Sequence, residues 1–151
     1  MNLKKNSFHI RKVEFLGYII SEQGMEMSEK EVEQVKTWTV PRTVKNVQKF
    51  LEFANFYRRF NQGFAQIAVS LTALTRKDEP CSWTPPCQKA FDMLEQRFNS
   101  PPFLAQLDAT LPSIIETDAS DYAVVAKDSQ KQKNGRVPPI AFLSESSPLE
   151  K

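Results

Sequence analysis

The sequence predicts an α+β chain: an N-terminal β-hairpin, a small three-helix bundle, then a fourth helix followed by antiparallel strands. Three observations predict it. Between Phe8 and Met27 an extended pattern carries apolar residues on both faces, so both faces are expected to be covered. From Ser28 to Thr75 apolar residues recur at helical spacing, with caps and breakers between segments. Beyond Ser100-Pro101-Pro102 the pattern returns to short strand-like runs, with an Asn134-Gly135 turn signal.

In the hairpin, Val13, Phe15, Gly17 and Ile19 alternate with Leu16, Tyr18 and Ile20, and Glu22-Gln23-Gly24 supplies the turn. A lone hairpin is marginal in water, so this one needs a partner surface, and the chain reads as beginning inside a domain. Ser28-Glu29-Lys30-Glu31 forms a capping box, followed by Val32, Val35 and Trp38 at helical spacing and a stop at Val40-Pro41. Thr43 caps the second helix and Asn61-Gln62-Gly63 ends it. A third helix covers Phe64 to Thr75, with Ile67, Ala68, Leu71 and Leu74 inward. Arg76 to Pro86 is a polar linker anchored by Trp83. The fourth helix runs from about Cys87 to Phe98, burying Ala90, Phe91, Leu94 and Phe98, with Pro85 and Pro86 suited to its first turn. Strands are expected at Ser113–Thr117, Tyr122–Ser129 and Val137–Ser144.

The second helix carries the functional signal. At about 100° per residue, Val44, Val47, Phe50, Leu51, Phe53, Ala54, Tyr57 and Phe60 share one broad arc. Lys45, Gln48, Lys49, Glu52, Asn55 and Arg59 share the other, and Phe56 sits among them. An aromatic among cations either packs against a covering element or meets nucleic acid, where cations hold phosphates and the ring meets sugar or base.

Composition bounds the rest. Forty per cent hydrophobic and 25% charged residues describe a globular chain, and a net charge of +2 is too mild to argue for nucleic acid by itself. Cys81, Cys87 and the single His9 do not make a zinc site; two reduced thiols suit an intracellular protein, cytoplasmic or nuclear. No run approaches the ~20 apolar residues of a membrane span. FLGYII is too short and misplaced for a signal peptide.

The blocks VEFLGYIISEQGMEM, VPRTVKNVQKFLEFANFYRRF, SLTALTRKDEPCSWTPPCQKAFDMLEQRF and IIETDASDY, in this order and spacing, resemble the reverse transcriptase–ribonuclease H region of a gypsy-class LTR retrotransposon polyprotein. The resemblance covers nearly the whole chain. It implies that residues 1–27 end the polymerase palm, with Phe15, Leu16, Gly17 and Tyr18 matching the primer grip that holds the primer's 3′ end. It implies a thumb over residues 28–79, and a linker helix with a truncated ribonuclease H-like domain over residues 80–151. Gln48, Glu52 and Phe56 match a Gln, Gly and aromatic track that follows the template–primer minor groove. That match shifts Phe56 toward the nucleic-acid reading, with Lys45, Lys49 and Arg59 as phosphate contacts.

The resemblance also marks what is missing. The polymerase motif Tyr-x-Asp-Asp is absent from the chain. Asp118 matches the family's first ribonuclease H aspartate; Glu116 and Asp121 match none of the others. On sequence alone Asp118 is equally a turn or cap residue. Two-metal phosphoryl transfer needs carboxylates for both ions. Mg²⁺ serves the family, but none is expected to bind tightly here, and Asp118 would be a ligand only if the rest of a site were supplied. Lys127 and Asp128 fall where the family's strand faces the core, so that strand must be exposed, shifted or poorly formed. Pro86 stands where the family often has Glu, and Glu52 where it has Gly.

The expected function is a polyprotein fragment without catalysis of its own that binds template–primer, an RNA–DNA hybrid or DNA duplex, weakly, with the rest of a Pol polyprotein as a possible partner. Two other readings stay open. One is part of an active RNA-directed DNA polymerase and ribonuclease H; the other is a domesticated protein-interaction module.

Overall fold

The computed structural model describes residues 10–77, 82–121 and 123–146. It opens on a sheet of four strands in the order β1 (Lys12–Phe15), β2 (Tyr18–Ser21), β3 (Gly24–Met27) and β4 (Leu104–Ala105). All pairs are antiparallel, with Phe15 opposite Tyr18, Ser21 opposite Gly24, and Gly24 opposite Ala105.

The expected single hairpin is therefore a meander with a second tight turn at Leu16-Gly17. Both residues have positive φ, 50° and 76°, as a type I′ turn requires. Leucine at the first position conceals the turn in sequence, because it prolongs the apolar run. Strand β1 is exposed on both faces and β2 is half-buried, so the expectation that both faces are covered fails for β1. Phe8 and His9 lie outside the described residues. Gly24 lets β4 approach: a Cβ there would run into the Leu104 carbonyl.

Helix α1 spans Glu29–Lys36. The capping box is not formed. The Ser28 N–H already donates to the Gly17 carbonyl at 2.8 Å, so Glu31 has no need to reach back. The Ser28 hydroxyl is buried without a partner among the described residues. The helix ends at Thr37, before Trp38, whose ring instead packs on Phe50 and Phe53 at 5.5 and 5.3 Å.

Helix α2 spans Val44–Phe56, and the Thr43 hydroxyl caps it by accepting from Asn46 N–H at 3.2 Å. Tyr57 closes the helix and Arg58–Phe60 follows as a 3₁₀ turn, so the last two residues of the apolar arc lie beyond the α-helix. Helix α3 (Phe64–Ala73) and helix α4 (Pro85–Asn99, with proline in its first turn) complete the helical part.

One core unites these elements. Val35, Val47, Phe50, Ala54, Leu71, Leu94 and Phe98 are fully buried together with Phe91 and Leu104. Helix α4 packs against both α1 and α3, and Phe91 meets Phe50 at 4.8 Å. The fourth helix, expected as a linker, thus completes the bundle. Truncating a ring such as Phe50 would cost about 3–5 kcal/mol, the transfer and cavity terms together.

A second antiparallel sheet has the order β5 (Ser113–Ala119), β6 (Ala123–Gln130) and β7 (Pro139–Ser146). Tyr122 and Cys81 lie outside the described residues. Strand β7 rests on α3 and the 3₁₀ turn, where Ala65 N–H donates to the Ser144 hydroxyl at 3.0 Å.

Strand β6 is fully formed. Lys127 is cross-strand from Glu116 and pairs with it at 2.8 Å. A register shift follows between Asp128 and Ser129. Lys127 is thus accommodated by partial exposure and its pairing, while Asp128, beside the shift, keeps one carboxylate oxygen buried without a partner among the described residues, and the strand is still formed.

Candidate nucleic-acid interface

Helix α2 divides as its spacing predicts. Val47, Phe50 and Ala54 are buried, while Lys45, Gln48, Lys49, Glu52, Asn55 and Phe56 are exposed, and Arg59 continues the exposed side in the 3₁₀ turn. Among the described residues none of Lys45, Lys49, Glu52 or Arg59 forms an ion pair. Three cations and one carboxylate therefore face solvent on one surface, with a ring that remains 49% exposed.

Phe56 is both packed and presented. Its ring stacks on Tyr18 at 5.3 Å and 29°, and meets Tyr57 edge-on at 4.9 Å. The Tyr18 hydroxyl donates to the Phe56 carbonyl at 2.9 Å, and the Tyr18 ring also stacks near Phe60 at 5.9 Å. The packing reading and the contact reading of Phe56 are thus compatible: one face is held, the other is open.

Tyr18 closes the turn Phe15–Tyr18, so this turn and the α2 surface are one continuous feature. Phe15 and Leu16 project into solvent at 59% and 65% exposure. Leu16 holds a left-handed conformation that costs an ordinary residue about 1–2 kcal/mol. Its carbonyl accepts from the Tyr57 hydroxyl at 3.4 Å. Gly17 fits under that hydroxyl, where any Cβ would overlap it and the Glu31 side chain.

Tyr57 thus ties α2, α1 and the turn together. Burial first, then the nearby Glu31 carboxylate, push its phenol well above the ordinary range. Burial likewise raises Tyr18, with Arg59 acting in the opposite direction. Sequence reasoning missed the Tyr57–Glu31–Gly17 junction. Tyr57 read there only as one apolar position of α2, and contacts across 26 to 41 residues leave no local signal.

Asp118 lies elsewhere, exposed within β5 and opposite Val125. The strand runs on through Ala119, and the turn that follows is closed by Ser120, whose N–H donates to the Ala123 carbonyl at 2.9 Å. Neighbouring Glu116 is taken by Lys127. Among the described residues no three His, Cys, Asp or Glu side chains converge to hold a metal ion. Among the described residues the donor set does not fit a two-ion site. Also among the described residues, no helix is long and apolar enough to cross a membrane.

With this geometry in place, residues 83–150 match the family described as the RNase H-like domain found in reverse transcriptase. The class of protein that the chain resembles is therefore the reverse transcriptase–ribonuclease H region of a retrotransposon polyprotein. In particular, it is 35% identical over 144 residues to the Transposon Tf2-3 polyprotein of Schizosaccharomyces pombe, a match covering 95% of this chain and 11% of that one. The Tf2-4 polyprotein of the same yeast matches equally. The chain thus spans about a ninth of the curated relatives' length. Its fold superposes on the foamy viral protease-reverse transcriptase in complex with RNA/DNA hybrid, with a TM-score of 0.78 and 26% identity, over 97% of this chain and 20% of that one. The same viral protein in complex with dsDNA gives a TM-score of 0.77 at 26% identity, over 97% and 30% of the two chains.

Proposed function

We propose that this chain is the thumb-to-ribonuclease H stretch of a gypsy-class polyprotein, and that its role is to hold template–primer duplex against the exposed arc of α2. The observation that carries the reading is Phe56: half-exposed, in line with Gln48 and Glu52, flanked by Lys45, Lys49 and Arg59, and stacked on the turn that contains Phe15 to Tyr18. Cations at that spacing neutralise backbone phosphates without reading sequence. The ring offers a surface to sugar or base. Phe15 and Leu16 continue the same surface toward a primer end. The similar viral structures, held in complex with RNA/DNA hybrid and with dsDNA, support a duplex ligand.

Affinity is modest on this reading. Glu52 sits between the cations and opposes phosphate, and a carboxylate facing the minor groove must lose water. Binding of roughly 10⁻⁴–10⁻⁶ M is expected, the range of sequence-independent contacts. In this reading the chain holds the duplex and performs no catalysis by itself, since Asp118 is the single matching acid.

Fluorescence anisotropy of a labelled template–primer duplex at two salt concentrations tests the reading. Salt-sensitive binding that weakens when Lys45 and Lys49 are both changed to Gln is the expected result. Binding of the double variant equal to that of the original chain would refute it.

A further inference from the structure

We propose that a cleft beside the α2 surface is a second phosphate seat, one that receives the backbone of the same nucleic acid. The proposal rests on the duplex-binding reading above.

The cleft lies between the end of α2, the outer side of α3 and the end of β7, and encloses about 430 Å³. Asn55, Arg58, Thr72, Arg76 and Glu145 are among the residues that line it. Its position follows from the 3₁₀ turn. At three residues per turn, consecutive side chains diverge by about 120°. Arg59 accordingly turns toward β3, with a guanidinium nitrogen 3.8 Å from the Met25 sulfur. Arg58 turns the other way and lines the cleft. Arg76 is brought to the cleft by the turn that ends α3, where its N–H donates to the Ala73 carbonyl at 3.2 Å. The hydrogen bond from Ala65 to Ser144 pins β7 to the start of α3 and fixes the cleft's width.

The chemistry selects a phosphate. Two guanidinium groups remain charged at any working pH and offer forked donors that match phosphate oxygens. Asn55 and Thr72 add neutral donors. Glu145 offsets one of the two charges, leaving the lining at +1. Neither arginine makes an ion pair with a described residue. The one aromatic residue in the lining, Phe64, is buried, so nothing is presented for a base to stack on. Asn55 is exposed on α2 and also lines the cleft, so the two surfaces share a residue.

The test is the salt dependence of duplex binding by the full chain carrying Arg58→Gln, Arg76→Gln, or both. Each neutralised contact is expected to lower the slope of log affinity against log salt by about 0.9. Arg58→Lys and Arg76→Lys, which keep the charge, are expected to hold the slope. Unchanged slopes for both Gln variants, with a lower slope for Lys45→Gln and Lys49→Gln, would overturn the cleft and leave the α2 reading standing. If the lysine variants are also without effect, both readings fall. A further arm compares inorganic phosphate with chloride as competitor at equal ionic strength. Stronger displacement by phosphate, lost in Arg58→Gln, is expected of guanidinium forks that match phosphate oxygens. Equal displacement by the two anions in the original chain would overturn the proposal.

Discussion

Tyr18 and Phe56 are joined twice: their rings stack at 5.3 Å, and the Tyr18 hydroxyl donates to the Phe56 carbonyl at 2.9 Å. The pair connects the β1–β2 turn to the end of α2 across 38 residues of sequence. A stacked aromatic pair contributes roughly 0.5–1.5 kcal/mol beyond its buried area. The hydrogen bond adds a net 0.5–1.5 kcal/mol or so. Tyr18→Phe should therefore lose only the polar share of stability, and Tyr18→Ala both shares together with the buried area of the ring. In a double-mutant cycle by urea unfolding, Tyr18→Ala and Phe56→Ala should couple by at least about 0.5 kcal/mol. Strict additivity would show that the two rings do not support each other.

Gly17 is irreplaceable for two separate reasons. Its φ is 76°, and a Cβ would strike the Tyr57 hydroxyl. Gly17→Ala should destabilise by more than the ~1–2 kcal/mol of the left-handed backbone alone, because Tyr57 must also move. Adding Tyr57→Phe, which removes the obstructing hydroxyl, should recover part of the loss. Absence of any recovery would place the strain in the backbone only.

Alkaline stability follows from the same tyrosine. Burial and Glu31 raise the Tyr57 phenol above its ordinary 10.0. The folded chain therefore keeps this proton more tightly than the unfolded one. The stabilisation is complete below pH 10 and is lost as pH climbs toward the folded value. One such group contributes at most about 1.4 kcal/mol per pH unit. Urea midpoints measured between pH 9 and pH 11 should fall less steeply for Tyr57→Phe than for the original chain. Identical slopes would mean that Tyr57 does not titrate differently in the two states.

Asp118 should be dispensable in the isolated chain. It is exposed in β5, with Glu116 engaged by Lys127 and no third donor among the described residues. Incubation with Mg²⁺ and a labelled RNA–DNA hybrid should yield no cleavage, with or without Asp118→Asn. Cleavage abolished by Asp118→Asn would show that the chain assembles an active centre.

Much of this fold is legible in local sequence. Thr43 caps α2 where a threonine before a helical apolar pattern should, and the exposed and buried sides of α2 follow its periodicity. Legibility fails where distant residues decide. Ser28 looked like half of a capping box, but the Gly17 carbonyl had already taken its N–H. Leu16 looked like one more apolar strand position, but its carbonyl and Gly17 form a turn under Tyr57. Lys127 looked like an intrusion into a core, but Glu116 stands directly across the ladder. The two-residue strand β4 is too short for any pattern and exists because β3 offers it an edge. The candidate surface was readable as Lys45, Gln48, Lys49, Glu52, Phe56 and Arg59. Its connection to Tyr18 was not, because a stack between residues far apart in the chain leaves no periodic trace.

Glu52 stands in the middle of the exposed arc of α2, between Gln48 and Phe56. Gln48, Glu52 and Phe56 lie within about 80° of one another on α2, so a duplex that reaches Phe56 must pass Glu52. The decisive measurement is the template–primer affinity, by anisotropy at two salt concentrations, of the original chain, Glu52→Gly, Phe56→Ala and the double variant. Glu52→Gly is expected to bind more tightly, even though glycine costs the helix about 1 kcal/mol. Phe56→Ala is expected to weaken binding more in the glycine background than in the original chain. Unchanged or weaker binding by a folded Glu52→Gly chain would contradict a duplex track on α2, and Phe56 would then serve only to pack on Tyr18.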